Sequence, residues 1–379
     1  MAEKARQHVM VVAGTRPEAV KMAPVVAELR RRPEQFHCTL VSTGQHREML
    51  QQAMNSFGLT VDIDLAIMQP NQTLAGLTGA AVVACDSVIK EVGPDIVLVQ
   101  GDTTTVLAAS LAAYYNKIAV GHVEAGLRTN DRYNPFPEEI NRSLLSRLAT
   151  FHFAPTALAA RSLRREGVLN ENVFVTGNTV VDALHTLRAG LREDIVSSHV
   201  QAAVATGKGR FVLVTCHRRE SFGNDLEVIV SALKSLAERF PDRIFFFPVH
   251  LNPNVREQVI PQLATVDNII LSDPVPYPDI LYCLSKAELV LTDSGGLQEE
   301  APSFHVPVIV LRHTTERPEG IRAGFSRLVA LEHDAIVRLA SAWLKTRRHE
   351  KLVGLSNPYG DGAAAKRIVD ILAGNCRHE

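Results

Sequence analysis

Asp102, Glu124, Glu138 and Glu139 are carboxylates that each follow an apolar run or open a helical stretch. Their settings are Gly101-Asp-Thr-Thr-Thr105, Gly121-His-Val-Glu-Ala-Gly126 and Phe136-Pro-Glu-Glu-Ile140. Carboxylates that gather beside a phosphate site cannot all stay ionised without cost, so at least one is expected to have a raised pKa. Such a group suits acid–base chemistry on a sugar. Each acid also has a structural use. Asp102 fits the N-cap of a helix running through Val106–Tyr115, and acids just after Pro137 complement a helix dipole. Glu124, flanked by small residues in a loop, has little packing role to explain it.

The groups that would hold an anion lie elsewhere. In Gly14-Thr-Arg-Pro-Glu-Ala-Val-Lys21, glycine allows a tight turn and Pro17 suits the first helical position, so Arg16 and Lys21 stand at a helix N-terminus that attracts negative charge. A capped helix with two solvated bases is the plain alternative. The spacing is not G-x-G-x-x-G, which disfavours a nicotinamide cofactor. In Asp293-Ser-Gly-Gly-Leu-Gln-Glu-Glu-Ala-Pro302, Gly295 and Gly296 let backbone approach a diphosphate, Ser294 offers a hydroxyl, and Glu299 and Glu300 suit ribose or sugar hydroxyls or the helix dipole. His217, with Arg218 and Arg219, follows another strand and can bind an anion or steady a leaving group. The loop Arg312-His-Thr-Thr-Glu-Arg-Pro318 reads either as a basic-acidic site or as an internally neutralised turn.

These loops need strands to carry them. Apolar, β-branched runs alternate with helix-length segments, the pattern of βαβ units around parallel sheets. Strands are expected at 8–13, 38–42, 96–100, 118–122, 151–154 and 173–176, with a helix over 18–32. A second series follows at 211–215, 244–249, 269–272, 289–292 and 306–311. The polar stretch Arg188–Arg210 reads as an interdomain connection. Val9–Glu18 aligns with Phe211–Glu220, and Asp95–Asp102 with Glu288–Gly295, so the halves are expected to be two similar α/β domains facing each other, with function at the carboxyl ends of their strands.

Composition agrees with a large globular chain. Of 379 residues 46% are apolar and 21% charged, and 40 basic against 41 acidic side chains give a net charge of −1. No global field would hold nucleic acid or an anionic membrane, so anionic ligands must be caught locally. Five scattered cysteines without a C-x-x-C pair argue against a disulfide framework or zinc ribbon. The short apolar run near the N-terminus is no signal-peptide core and no stretch is long enough to span a membrane, so a cytoplasmic location is expected.

Taken together, GTRPEAVKMAP, GQHREML, LVQGDTTT, VGHVEAGLRT, NPFPEEINR, VTGNTVVDAL, HRRESFG, PVHLNPNVRE, LTDSGGLQEEAP, TTERPEG and NPYGDG resemble the non-hydrolysing UDP-N-acetylglucosamine 2-epimerases over almost the whole chain. The resemblance implies the GT-B fold: an N-terminal Rossmann-like domain over 1–187, a UDP-binding one over 188–357, a cleft between them, and a C-terminal helix over 358–379 crossing back. It implies reversible conversion of UDP-GlcNAc to UDP-ManNAc for cell-surface polysaccharide precursors, in a homodimer, without metal or nicotinamide. UDP would leave the anomeric carbon as the C2 proton is removed, giving a 2-acetamidoglucal, and add back after protonation on the opposite face.

By motif, Asp102, Glu124 and Glu138 would serve as base, acid and charge stabiliser, with His217 supporting the departing diphosphate. Arg16, Lys21, Ser294, Gly295 and Gly296 would hold the diphosphate, Glu300 the ribose and Arg317 the sugar side. Gln45, Gln72, Arg218 and His250 would bind a second UDP-GlcNAc as activator. The chain departs from the family pattern at Cys216, at Asn71, and in Asp273–Ile280, where contacts to the base must come from backbone or Tyr277. A 2-epimerase of a diacetamido uronic acid, a hydrolysing epimerase and a GT-B glycosyltransferase are the alternative readings.

Overall fold

A computed structural model describes residues 6–44, 47–69, 72–190, 193–216 and 223–375. The chain divides into two compact units, one of Met1–Leu187 with Tyr359–Glu379 and the other of Arg188–Pro358. The first contains β1 (Gln7–Ala13), β2 (Phe36–Ser42), β3 (Ile63–Asp64), β4 (Ile96–Gln100), β5 (Ala119–Val123), β6 (Phe151–Ala154) and β7 (Val173–Val175). They form one sheet in the order β3-β2-β1-β4-β5-β6-β7, and every pairing is parallel. The second unit repeats the plan with β8 (Phe211–Thr215), β9 (Ile244–Pro248), β10 (Ile269–Ser272), β11 (Leu289–Thr292), β12 (Val308–Val310) and β13 (Ser326–Leu328), ordered β10-β9-β8-β11-β12-β13 and again parallel. In both sheets the strand order reverses beside the first strand, next to β4 in one and β11 in the other. That is the switch point where doubly wound sheets bind ligands.

Why these segments became strands follows from burial on both faces. In β1 and β4, Met10, Val12, Val97 and Val99 meet Val88, Ile89, Ala109 and Ala113 on one side, so polar residues have no face to occupy. Leu98, fully buried, points the other way. In the second unit Val212, Val214, Phe245, Phe247, Leu289 and Leu291 pack against Ile229, Leu233, Leu236 and Leu344. Burying a side chain of this size contributes roughly 1.5–3 kcal/mol. Among the described residues no helix is long and apolar enough to cross a membrane.

Several expectations are corrected. The stretch read as a polar connection, Arg188–Arg210, carries the helix Ser198–Gly207, with Val196, Val200, Ala203 and Val204 buried and the Asp279 carboxylate accepting from Ser197 N at 3.1 Å. Its apolar residues are spaced for one helical face, a signal masked by the polar residues between them. The short strands β3 and β13 were not expected, since two or three residues leave no readable alternation. The helix expected from Glu18 starts at Arg16 and ends at Arg30.

The C-terminal helix Ala364–Asn375 belongs to the first unit. Asp182 caps it, accepting from Ala364 N and Ala365 N at 3.2 and 2.8 Å, and Asp370 pairs with Arg32 at 2.6 Å.

Candidate active site

Register places two of the expected acids side by side. Gln100 of β4 pairs with Val123 of β5, so Asp102 and Glu124 emerge from the carboxyl ends of adjacent strands, which run ~4.8 Å apart. Asp102 is not the N-cap of the next helix. Thr103 caps Thr104–Tyr115 through its side chain, accepting from Val106 N at 3.4 Å. The Asp102 carboxylate instead meets Arg142, whose Nε and Nη2 lie 2.8 and 2.6 Å from Oδ2. Its carbonyl accepts from Asn141 Nδ2 at 2.8 Å.

That contact docks the helix Glu138–Leu148 and separates the two neighbouring glutamates. Glu139 is buried and structural: it accepts from Thr129 N and Asn130 N at 3.0 and 2.9 Å and pairs with Arg142 Nη1 at 3.0 Å. Glu138 opens the helix. Asn141 and Arg142, three and four residues on, share its face, so that face of the helix is the one turned to Asp102.

Glu124 is held by more than its loop. It takes φ +66°, a left-handed conformation uncommon outside glycine. Its buried carboxylate pairs with Lys21 Nζ and accepts from Asn178 Nδ2 at 3.1 Å, both on Oε2. The ammonium supplies the counter-charge that a buried carboxylate requires. Lys21, expected on the diphosphate, is thus engaged by an acid. The backbone N–H groups just ahead of its helix are engaged too, since Glu18 accepts from Gly14 N at 2.6 Å and from the N-cap Thr15 N at 3.2 Å. Arg16 is the first residue of that helix and is half-buried. Burial pushes the Glu18 carboxyl up, so a shifted acid lies in this region, at a residue not singled out from sequence. Thr15-x-x-Glu18 is a capping-box spacing that would have revealed it.

His122 of β5 is buried behind Asp102. Its Nε2 lies 2.7 Å from the Gly101 carbonyl, which can only accept, so the proton sits on Nε2. Burial pushes its pKa down to about 3, and that of buried His152 to about 4. Both native imidazoles therefore stay neutral while an unfolded histidine protonates near 6.5. Their contribution to stability is full above pH 6.5 and is lost as pH falls from there toward 4 and 3, by ~2 kcal/mol each between pH 7 and 5. Glu18 and Asp182, both pushed up chiefly by burial, act in the opposite direction. Site-specific NMR should therefore find both histidines neutral in the folded protein at pH 5; protonation of either near 6.5 would refute the assignment.

In the second unit the glycine loop follows β11. Ser294 caps Gly295–Glu300, its hydroxyl accepting from Leu297 N at 3.5 Å. Tyr277, expected at a base, donates from its hydroxyl to Glu300 Oε1 at 3.0 Å and orients the carboxylate expected at ribose. A Cβ on Gly295 would lie 2.6 Å from Arg317 Cζ, whereas one on Gly296 would meet nothing closer than 3.6 Å. Arg317 is buried and held by Glu299 Oε1 at 2.6 Å and by Glu316, and Arg312 pairs with Glu316 at 3.0 Å. The two guanidiniums of the loop 312–318 are thus balanced by Glu316 within it and by Glu299 of the helix Gly295–Glu300, with that of Arg317 pressed on Gly295. Gly295→Ala should displace Arg317 and lower the thermal midpoint, while Gly296→Ala should change it little; equal effects would show that the guanidinium contact does not matter.

His250 is exposed after β9, its Nδ1 accepting from Asn252 N at 3.1 Å. Gln72 Oε1 accepts from Gln69 N at 3.4 Å. Gln45, His217 and Arg218, as well as Asn71, lie outside the described residues. Sequence reading missed Arg142 and Asn178, which touch the acids directly. The motif Gly177-Asn178-Thr179 before a helix was the available signal for the second.

Two doubly wound units with matching strand orders, acids beyond β4 and β5 of one and a glycine loop beyond β11 of the other, define a GT-B-like α/β protein. The family described as UDP-N-acetylglucosamine 2-epimerase matches residues 27–373, and the chain belongs to that family. It is 47% identical to the UDP-N-acetylglucosamine 2-epimerase of Escherichia coli K12, over 97% of this chain and 98% of that one. With the Bacillus subtilis enzyme of the same name it shares 46% identity, over 96% and 94% of the two chains. The crystal structure of UDP-GlcNAc 2-epimerase from Neisseria meningitidis bound to UDP-GlcNAc superposes with a TM-score of 0.93 at 44% identity, covering 97% of this chain and all of that one.

Proposed function

We propose that this chain is a non-hydrolysing epimerase that interconverts UDP-GlcNAc and UDP-ManNAc at C2. The observation that carries the reading is the pair of carboxylates on adjacent strand ends, each locked by a cation: Glu124 by Lys21 and Asp102 by Arg142. A C2 proton is weakly acidic, and its removal must accompany departure of UDP. One carboxylate takes that proton, the C1–O bond breaks with its electron pair passing to the UDP oxygen, and a 2-acetamidoglucal remains. A carboxylic acid then protonates the opposite face of C2, and UDP oxygen re-forms the bond to C1.

In this reading Glu138, on the helix face turned to Asp102, completes the acids, and His217 supports the leaving diphosphate. Arg16, Ser294, Gly295 and Gly296 hold the diphosphate, with Lys21 acting through Glu124. Glu300, fixed by Tyr277, meets the ribose, and Arg317 supports the glycine loop from beneath. A homodimer, and a second UDP-GlcNAc as activator near Gln45, Gln72, Arg218 and His250, belong to the same proposal.

Incubation with UDP-GlcNAc in D2O tests it. Deuterium at C2 together with UDP-ManNAc by NMR is expected. Free sugar plus UDP would point to a hydrolysing enzyme, and an unchanged sugar would overturn the reading.

A further inference from the structure

Asn178 has no direct part in the chemistry above, yet it is among the most constrained polar side chains of the first unit. It is buried, its backbone N–H donates to the Tyr359 carbonyl at 2.8 Å, and its side-chain Oδ1 accepts from Val180 N at 3.0 Å. The contact to a backbone donor fixes which end of the side-chain amide is oxygen, so Nδ2 must face Glu124 Oε2, 3.1 Å away. Gly360 closes over the same residue, a Cβ there lying 3.3 Å from Asn178 N. The chain thus returns from the second unit at Tyr359 and at once clamps the residue that touches Glu124.

We propose that Asn178 is a positioning residue for Glu124. Lys21 and Asn178 converge on one carboxylate oxygen from two elements, and two donors on one oxygen set the plane of the carboxylate as well as its place. The ammonium supplies charge, and the planar side-chain amide, held at its oxygen by Val180 N while the backbone of the same residue is tied to Tyr359, supplies direction. The inference rests on reading Glu124 as a proton-transfer group. Of the other charged groups packed nearby, Asp182 is turned to the amides of Ala364 and Ala365, His185 lies against Gly362, and Arg367 pairs with Asp361 and donates to the Thr176 carbonyl.

Asn178→Asp keeps the acceptor for Val180 N and the side-chain shape, and replaces the donor with a second carboxylate beside Glu124. For UDP-GlcNAc epimerisation the expected result is a kcat at least about tenfold lower, a KM within about threefold, and an acid limb of the kcat profile moved up by about one pH unit. Asn178→Ala, which removes the donor without adding charge, should lower kcat with a smaller upward shift. Thermal midpoints are measured alongside, because a merely structural residue would move the midpoint and leave the limb in place. Wild-type kcat in either folded variant, or lost kcat with an unmoved limb in both, overturns the proposal.

The native enzyme gives a reading that needs no variant. The Asn178 side-chain amide proton should shift through the same acid limb, and a resonance that stays fixed overturns the proposal equally. A wild-type enzyme that exchanges no C2 proton in D2O refutes the epimerase reading instead, so the two failures are distinguishable.

Discussion

Replacing Glu124 with glutamine should lower kcat for epimerisation by about 10³-fold or more while UDP continues to bind. The size follows from losing a proton-transfer group held in place for one atom, since such groups contribute on the order of 10²–10⁴, and from losing the counter-charge of Lys21. Side-chain exposures of 7% and 6% put both ends of this ion pair out of water. Removing one partner of a buried pair typically costs about 3–5 kcal/mol, because the other charge is left uncompensated. Glu124→Gln should therefore also lower the thermal midpoint. Lys21→Met combined with Glu124→Gln separates the two effects: it should recover much of the stability and none of the activity. Turnover near wild type in the single variant, by coupled assay or NMR, would remove Glu124 from the chemistry. Recovery of activity in the double variant would show that its role is only to balance Lys21.

Sequence and structure differ here in an instructive way. The strands were legible because a parallel sheet covered on both faces demands continuous apolar runs, and 96–100, 151–154, 211–215, 269–272 and 289–292 coincide with observed strands. The acids were legible as types, since carboxylates in glycine- and threonine-rich loops stand out against an apolar background. What each carboxylate touches was not, because partners come from distant parts of the chain: Arg142 reaches Asp102 across 40 residues and Asn178 reaches Glu124 across 54. Nothing local distinguishes Glu138 from Glu139. Only the docking of their helix on Asp102 turns one into an ion-pair partner of Arg142 and leaves the other on the Asp102 face. The helix Ser198–Gly207 was hidden for a different reason, since its buried side are small or β-branched residues set among polar ones.

The second large effect should come from Gly126→Ala, two residues beyond Glu124. Gly126 takes φ +90°, and a Cβ there would lie 2.3 Å from the Ala159 carbonyl oxygen and 2.9 Å from Leu163 Cγ. The nearest atom is backbone of the helix Ala157–Arg165, so no rotamer change relieves the overlap, and the left-handed conformation adds ~1–2 kcal/mol of its own. A loss of about 3 kcal/mol or more is expected, a large share of the 5–15 kcal/mol typical of a folded domain. Truncating Leu163 to alanine should not rescue it. Gly121→Ala offers the contrast: its nearest neighbour is Leu98 Cδ2 at 2.4 Å, the end of a side chain that can turn, so the first unit should lose less. Urea unfolding followed by probes in each unit measures this, with the change confined to the first unit. Because the same turn aims Glu124 at its neighbours, any folded Gly126→Ala enzyme should also have lost kcat. A variant with both stability and turnover intact would mean that the turn can reshape without moving the carboxylate, and the left-handed geometry at residue 124 would then have no catalytic meaning.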